Sequence, residues 1–150
     1  TRSFSPRVAI LLNINKAHLD RHRSLAEYAR VKSRIFMNHR PNDILILNFD
    51  DARVRPLARK HQGRTFFVSQ QQVLDRGAWL QDGVARVNIN GTVEELGEAA
   101  PPLVENFLAA VVAARACGIE PEQLARALTL LESPSNRRAW PIERHSPNEA

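Results

Sequence analysis

The sequence contains few residues of the kinds that cross-link or anchor a chain. Its 150 residues include one cysteine and one tyrosine, and only 6% of them are aromatic. The single cysteine, Cys117, excludes a disulfide within the chain, which is consistent with a reducing compartment. No apolar run is long enough to span a bilayer, and no signal-peptide pattern opens the chain. We therefore expect a cytoplasmic protein without membrane insertion.

Positive charge is in excess, but it is dispersed along the chain. The sequence has 21 Lys and Arg residues against 16 Asp and Glu residues, which gives a formal net charge of +5. Nucleic-acid-binding chains usually concentrate such charge in a basic stripe or patch. Here no long basic run is interleaved with aromatic residues. The sequence therefore predicts no nucleic-acid partner, and small molecules that carry phosphate are the next candidates after a solvated surface.

The first half of the chain alternates apolar runs with helical patterns. Nearly continuous apolar runs at residues 7–14, 43–49 and 64–69 are typical of parallel strands buried on both faces. Residues 25–36 have apolar positions at helical spacing, and a short helix is predicted over residues 52–61. This order predicts an α/β fold with a parallel sheet and right-handed crossovers.

In the second half of the chain, the sequence predicts a hairpin and two helices rather than alternating strands and helices. Residues 79–89 read as a β-hairpin closed by the tight turn Asp82-Gly83, and Asn90-Gly91 marks another turn. Two helices follow, a long apolar one that ends at Gly118 and one that begins near Pro121.

Lys32 falls on the predicted apolar face of the first helix. A capping box of Ser24 and Glu27 predicts the start of that helix, and Lys32 lies one turn after Tyr28. A buried ammonium is costly, so burial would favour a neutral, nucleophilic amine. Such an amine reacts with carbon dioxide to give a carbamate, an oxygen ligand for a divalent metal, and His18 lies just upstream. Alternatively, Lys32 extends from the rim of the face and His18 is an ordinary loop residue.

Two polar segments are predicted to share one crevice. Residues 13–18 follow the first strand and residues 48–51 follow the second. Ligands of open parallel sheets bind beyond the carboxyl ends of the strands. Asp50 and Asp51 have two interpretations in this position, either as caps of the next helix or as catalytic groups.

Several of these residues together resemble the Mur ligase family. The resemblance is specific from about Phe4 to Asp51 and looser to about Arg138. The matching residues are Leu12-Asn13-Ile14, His18-Leu19-Asp20-Arg21-His22, Ser24, Tyr28, Lys32, Arg34-Ile35-Phe36 and Asn48-Phe49-Asp50-Asp51.

The resemblance implies an ATP-dependent amide ligase of peptidoglycan precursor synthesis. Members of this kind join an amino acid to a carboxylate through an acyl phosphate, and the nearest resemblance is to those that add D-glutamate to UDP-N-acetylmuramoyl-L-alanine. ATP and Mg²⁺ are the implied cofactors. His18 corresponds to a metal-binding histidine, and Lys32 to a carbamylated lysine that is catalytic and binds the metal. Arg137 corresponds to a nucleotide contact, with Arg138 as the alternative register.

The family's phosphate-binding loop, of the form G-x-x-G-K-S/T, does not occur in these 150 residues. Residues 1–138 are therefore expected to be the second half of a central, P-loop NTPase-like ATPase domain, followed by a tail or linker at 139–150. We expect this chain alone to be inactive and to self-associate through its exposed half-domain surface. The alternative is a noncatalytic relative that serves as a binding or scaffolding domain. The native sequence upstream of Thr1 would distinguish the two.

Overall fold

Six strands and three α-helices form the part of the chain that the computed structural model describes, which is residues 4–14, 24–98 and 104–132. In chain order these elements are β1 (Val8–Leu11), α1 (Leu25–Ser33), β2 (Ile44–Asn48), β3 (Arg64–Ser69), β4 (Gly77–Gln81), β5 (Val84–Asn88), β6 (Val93–Glu98), α2 (Val104–Ala116) and α3 (Pro121–Glu132). Two 3₁₀ segments, Arg34–Phe36 and Arg55–Lys60, precede β2 and β3. No described helix has the length and apolarity that crossing a membrane requires.

The strands form one sheet in the order of the sequence. β1 to β4 run parallel, and β5 and β6 complete an antiparallel meander on β4. In the first three strands, Val8, Ile44 and Arg64 stand side by side. The predicted α/β fold with parallel strands, a hairpin and two following helices is therefore confirmed.

β6 is the strand that the sequence pattern did not predict. Three of its six residues are acidic, and its apolar residues Val93 and Leu96 are three positions apart rather than two. The pairing with β5 is irregular here, since Arg86 faces Glu95 while Val84 faces Glu98. One extra residue on β6, where Gly97 has a φ of +93°, breaks the alternation that marks a strand.

The two faces of the sheet are covered by different helices. On one face, α1 and the 3₁₀ segments enclose a core cluster to which Tyr28 and Ala29 of α1 are packed. The buried members of this cluster are Ala9, Leu11, Ile14, Phe36, Leu45, Leu47, Val54 and Leu57. Alternate residues of a strand point to opposite faces, so Ile44 and Ile46 face the other way. There α2 packs on β2, β3 and β4 and buries Leu108, Val111 and Val112.

Three element predictions need correction in detail. The helix predicted at 52–61 is a 3₁₀ helix, Arg55–Lys60, with a proline in its first two positions. The first helix keeps α geometry only to Ser33 and ends in a 3₁₀ turn. β1 is shorter than residues 7–14 and is not buried on both faces, because it is the edge strand and Ile10 is 41% exposed.

The chain divides into two compact units, residues 1–118 and 119–150. The first contains the sheet with α1 and α2. In the second, α3 begins where the Glu120 N–H donates to Oε1 of Gln123 (3.0 Å) and the Glu120 carbonyl accepts from Leu124. The boundary expected after residue 138 lies outside the described residues and stays a prediction.

Candidate functional site at the carboxyl ends of the strands

Asp50 joins the carboxyl ends of β2 and β3. Its Oδ1 accepts a hydrogen bond from the Ser69 hydroxyl at 2.6 Å, and its Oδ2 accepts one from the Gln70 N–H at 2.7 Å. Ser69 is buried, and its Oγ in turn accepts from the N–H groups of Gln71 and Gln72. The turn that leaves β3 is therefore fixed by one carboxylate from the neighbouring strand.

Asp51 joins the end of β2 to the end of β1. Its Oδ2 accepts from the Ile14 N–H at 3.2 Å, and its Oδ1 accepts from the N–H groups of Arg53 (2.7 Å) and Val54 (3.1 Å). Carboxylate oxygens are well suited to open backbone donors at the start of a helix. The sequence left open whether these aspartates are helix caps or catalytic groups. In the structure, Asp51 caps the segment that follows it, and Asp50 forms hydrogen bonds to the residues at the end of β3.

Asp50, Asp51, Ser69 and Gln70 form what we call the strand-end cluster, and this cluster also contacts α2. Gln70 is exposed, and its side-chain amide lies 3.4 Å from Oε1 of Glu105 in the first turn of that helix. Neither Ser69 nor Gln70 was predicted as a site residue. The one available signal was a polar Ser-Gln pair directly after a buried strand, at the same edge of the sheet as Asp50.

Lys32 lies on the solvent side of α1, so the prediction of an inward-facing lysine is wrong. Its side chain is exposed, and Nζ lies 5.4 Å from the centre of the Tyr28 ring, in a cation–π contact. Of the apolar residues predicted on the inward face, Phe36 is buried and Tyr28 packs on the core, while Val31 and Ile35 are 38% and 37% exposed.

The inward side of the helix overlaps the predicted face only in part. Its core-facing or buried residues are Tyr28, Ala29, Ser33 and Phe36, of which Ala29 and Ser33 were not predicted. Phe36 enters the core, and Ala29 packs against it. The Ser33 hydroxyl donates to the carbonyl of Arg30 at 2.8 Å, which makes its burial inexpensive.

The other two predicted site residues, His18 and Arg137, lie outside the described residues, as does the alternative Arg138. His18 falls between Ile14, which Asp51 holds, and Ser24, whose Oγ caps α1 by accepting from the Glu27 N–H at 3.1 Å. Residues 4–14, 24–98 and 104–132 contain no group of three His, Cys, Asp or Glu side chains arranged for a metal ion.

Comparison with known proteins identifies the fold and the family. The model of the family described as "Mur ligase middle domain" matches residues 1–114. The chain is 38% identical over 147 residues to UDP-N-acetylmuramoylalanine--D-glutamate ligase of Pelotomaculum thermopropionicum, covering 94% of this chain and 32% of that protein. It is 36% identical over 137 residues to the protein of the same name from Desulfitobacterium hafniense, covering 87% of this chain and 30% of that protein.

Solved structures resemble the chain at the level of the fold. A MurF crystal structure from Acinetobacter baumannii gives a TM-score of 0.62 at 22% identity, over 83% of this chain and 29% of that one. MurF ligase from Thermotoga maritima in complex with ADP gives 0.51 at 23% identity, over 81% of this chain and 30% of that one. The chain spans about a third of the length of the curated relatives it matches. By its sequence and its fold, the chain belongs to the Mur ligase family, and the match lies in that family's middle domain.

Proposed function

We propose that the chain is part of an ATP-dependent ligase of peptidoglycan precursor synthesis, which adds D-glutamate to UDP-N-acetylmuramoyl-L-alanine. The observation that carries this proposal is the 38% identity, over 94% of the chain, to a relative named for the D-glutamate reaction. The crystallised relative from Thermotoga maritima binds ADP, which supports ATP as the second substrate. The proposed location of this synthesis is the cytoplasm.

Lys32 is the proposed catalytic group. The ammonium first gives up one proton to solvent, and the neutral amine then attacks carbon dioxide. A nitrogen–carbon bond forms as one carbon–oxygen π bond breaks, and a second proton leaves the nitrogen to give the carbamate. The side chain is exposed, so the amine is accessible to dissolved carbon dioxide. The resulting oxygens and a His18 nitrogen are the ligands we propose for Mg²⁺, which prefers oxygen donors.

The remaining proposed roles concern the metal, the two substrates and three further residues of this chain. When bound, Mg²⁺ neutralises phosphate and carboxylate oxygens during transfer of the phosphoryl group to the muramoyl-alanine carboxylate. The amine of D-glutamate then attacks the acyl phosphate, forms the amide and releases phosphate. Arg137 is the proposed contact to the nucleotide. Asp50 and Asp51 hold the ends of the strands together through their hydrogen bonds.

The test places this chain in a full-length ligase. The chain replaces the corresponding third of the Pelotomaculum thermopropionicum relative, and D-glutamate-dependent phosphate release is measured. Lys32→Ala should lower kcat by at least ~100-fold, as expected when a group that stabilises transition-state charge is removed. Acetate or formate should restore part of the loss, since either anion can replace the missing carboxylate. Lys32→Arg should not recover, because guanidinium forms no carbamate.

The matched control is Lys60→Ala, which removes another exposed lysine, on the second 3₁₀ segment. It should retain activity. Full activity of Lys32→Ala without added anion would exclude the carbamate. An unmodified chimaera that folds and still shows no reaction that depends on D-glutamate would contradict the proposed substrate.

A further inference from the structure

Two histidines meet at the amino-terminal edge of the sheet, opposite the strand-end cluster. Nδ1 of His39 lies 2.8 Å from Nε2 of His61, and Nδ1 of His61 lies 2.8 Å from the Thr65 hydroxyl. Both rings pack edge-on against Phe36, with centroid distances of 6.4 and 5.8 Å. His39 belongs to the connection that enters β2, and His61 to the connection that enters β3. The pair therefore joins the two crossovers of the parallel sheet.

The connection that enters β3 lies tightly against the connection that enters β2. A Cβ at Gly63 would collide with the carbonyl oxygen of Asp43, and would lie 2.8 Å from that of Arg40 and 2.9 Å from Cε1 of His61. The absence of a side chain at Gly63 therefore allows the two connections to lie in contact. His39 is only 7% exposed, and its Nε2 is buried without a hydrogen-bond partner among the described residues.

This geometry restricts which ring nitrogens carry the hydrogens. A hydrogen bond between two ring nitrogens needs one hydrogen between them, and each neutral imidazole carries one. One neutral arrangement places hydrogens on Nδ1 of both rings, so that His39 donates to His61 and His61 donates to Thr65. The other places a hydrogen on the buried Nε2 of His39, where no acceptor is available. The first arrangement is favoured, because a buried donor without an acceptor is costly.

One added proton has no satisfactory position. With three hydrogens on the pair and one of them shared, both outer nitrogens must carry a hydrogen, including the buried Nε2 of His39. A second added proton leaves two donors facing each other across the 2.8 Å contact. Protonation therefore either buries a charged ring with an unsatisfied N–H or separates the rings.

The surrounding charges do not remove this constraint. Asp43 is buried nearby, and its carboxylate is already engaged by the Arg40 N–H (2.7 Å) and by Arg7 (3.3 Å). The other charged neighbours along the chain are cationic and are Arg59, Lys60 and Arg64. Burial lowers the pKa of His39, and burial together with the neighbouring ring lowers the pKa of His61, while Asp43 opposes both shifts.

We propose that His39 and His61 form an acid-released latch that joins the two crossover connections. The latch is closed when both rings are neutral, and a single added proton opens it. Because Phe36 packs on both rings and closes the 3₁₀ turn that follows α1, the closed latch also supports the helix that carries Lys32.

The direct test is the hydrogen position on each ring. A long-range ¹H–¹⁵N NMR spectrum of the protein resolves the ring nitrogens of its five histidines. At about pH 7.5 both His39 and His61 should carry the hydrogen on Nδ1, whereas exposed imidazoles commonly carry it on Nε2. Hydrogens on Nε2 of either ring, or independent titration of both rings near pH 6.5 like exposed histidines, would overturn the latch.

A pair of Thr65 variants separates the latch from simple packing. Thr65→Val removes the acceptor of the His61 Nδ1–H, so the doubly Nδ1-protonated state should be lost, while Thr65→Ser should keep it. Retention of that state in Thr65→Val would count against the network. If Thr65→Val does not fold, the hydrogen positions in the spectrum of the unchanged protein test the latch by themselves.

Stability against pH is the second measurement. Unfolded histidines bind protons near pH 6.5, and the buried pair binds them only at lower pH, so the unfolded chain holds more protons below about pH 6.5. Stability present above that pH is lost as the pH falls towards the folded-state pKa values. The urea midpoint should therefore be lower at about pH 5.5 than at about pH 7.5. An unchanged midpoint would contradict release by acid.

Discussion

At the scale of single residues, Asp51 has the clearest structural role at the carboxyl end of β2. Its side chain accepts three backbone hydrogen bonds, one from the end of β1 and two from the segment that leads into the second 3₁₀ helix. Removal of a cap costs about 1 kcal/mol, and hydrogen bonds to a charged group contribute more than neutral ones.

Asp51→Ala should therefore lower the free energy of unfolding by about 2–3 kcal/mol, measured by urea denaturation at neutral pH. Asp51→Asn should cost less, because one oxygen acceptor remains. Asp75→Ala is the matched control, since Asp75 is an exposed aspartate in the turn before β4, and it should change stability by less than about 0.5 kcal/mol. Equal losses in Asp51→Ala and Asp75→Ala would show that the three contacts contribute nothing.

Single residues also show which features a sequence reveals. The capping of α1 by Ser24 follows from a local pattern of four residues, and the structure has the expected 3.1 Å hydrogen bond to Glu27. The pairing of His39 with His61 has no such pattern, because the two are 22 positions apart and meet only when the sheet forms. The contact of Asp51 with the end of β1, 37 positions away, was nevertheless predicted, because both segments follow parallel strands of one sheet.

At the scale of elements, the junction of β3 with β4 depends on Gly77. This buried glycine has a φ of +126°, and a Cβ there would collide with the carbonyl oxygen of its strand partner Phe67. A backbone carbonyl cannot give way without disturbing the pairing of the two strands. The antiparallel meander joins the parallel strands of the sheet at this pairing of β3 with β4.

Gly77→Ala should destabilise the protein by more than ~3 kcal/mol, because steric collision and the positive φ both oppose an alanine. Gly97→Ala is the comparison, since its φ is +93° but a Cβ would meet nothing within 4 Å. It should cost about 1–2 kcal/mol, the penalty of the left-handed conformation alone. Similar unfolding midpoints for the two variants in urea would mean that β3 and β4 are not packed this closely.

Patterns of whole elements were easier to predict than their faces. The parallel strands were predicted because β2, with all five residues buried, reads as a continuous apolar run. The face of α1 was predicted correctly at Tyr28 and Phe36 and wrongly at Val31 and Ile35, which are exposed. Helical spacing did not show that Ser33 is buried, nor that Lys32 lies in solvent.

At the scale of the whole molecule, the described sheet is open at both edges. β1 pairs on one side only, with β2, and β6 pairs only with β5. The curated relatives are about three times as long as this chain. An open edge strand can pair with further strands, so self-association of the isolated chain stays a prediction that light scattering can test.

The absence of the phosphate loop determines what the isolated chain should do with ATP. None of the six glycines begins or completes the form G-x-x-G-K-S/T, whose backbone N–H groups and lysine hold the phosphates. Phosphoryl transfer depends almost entirely on positioning and charge stabilisation, so the remaining residues should not support it. We expect no phosphate release by the isolated chain above the rate of its Lys32→Ala variant. The chimaera, which regains the rest of the ligase, should differ from its own Lys32→Ala variant by at least ~100-fold. ATP turnover by the isolated chain that Lys32→Ala abolishes would show that a complete site exists within these 150 residues.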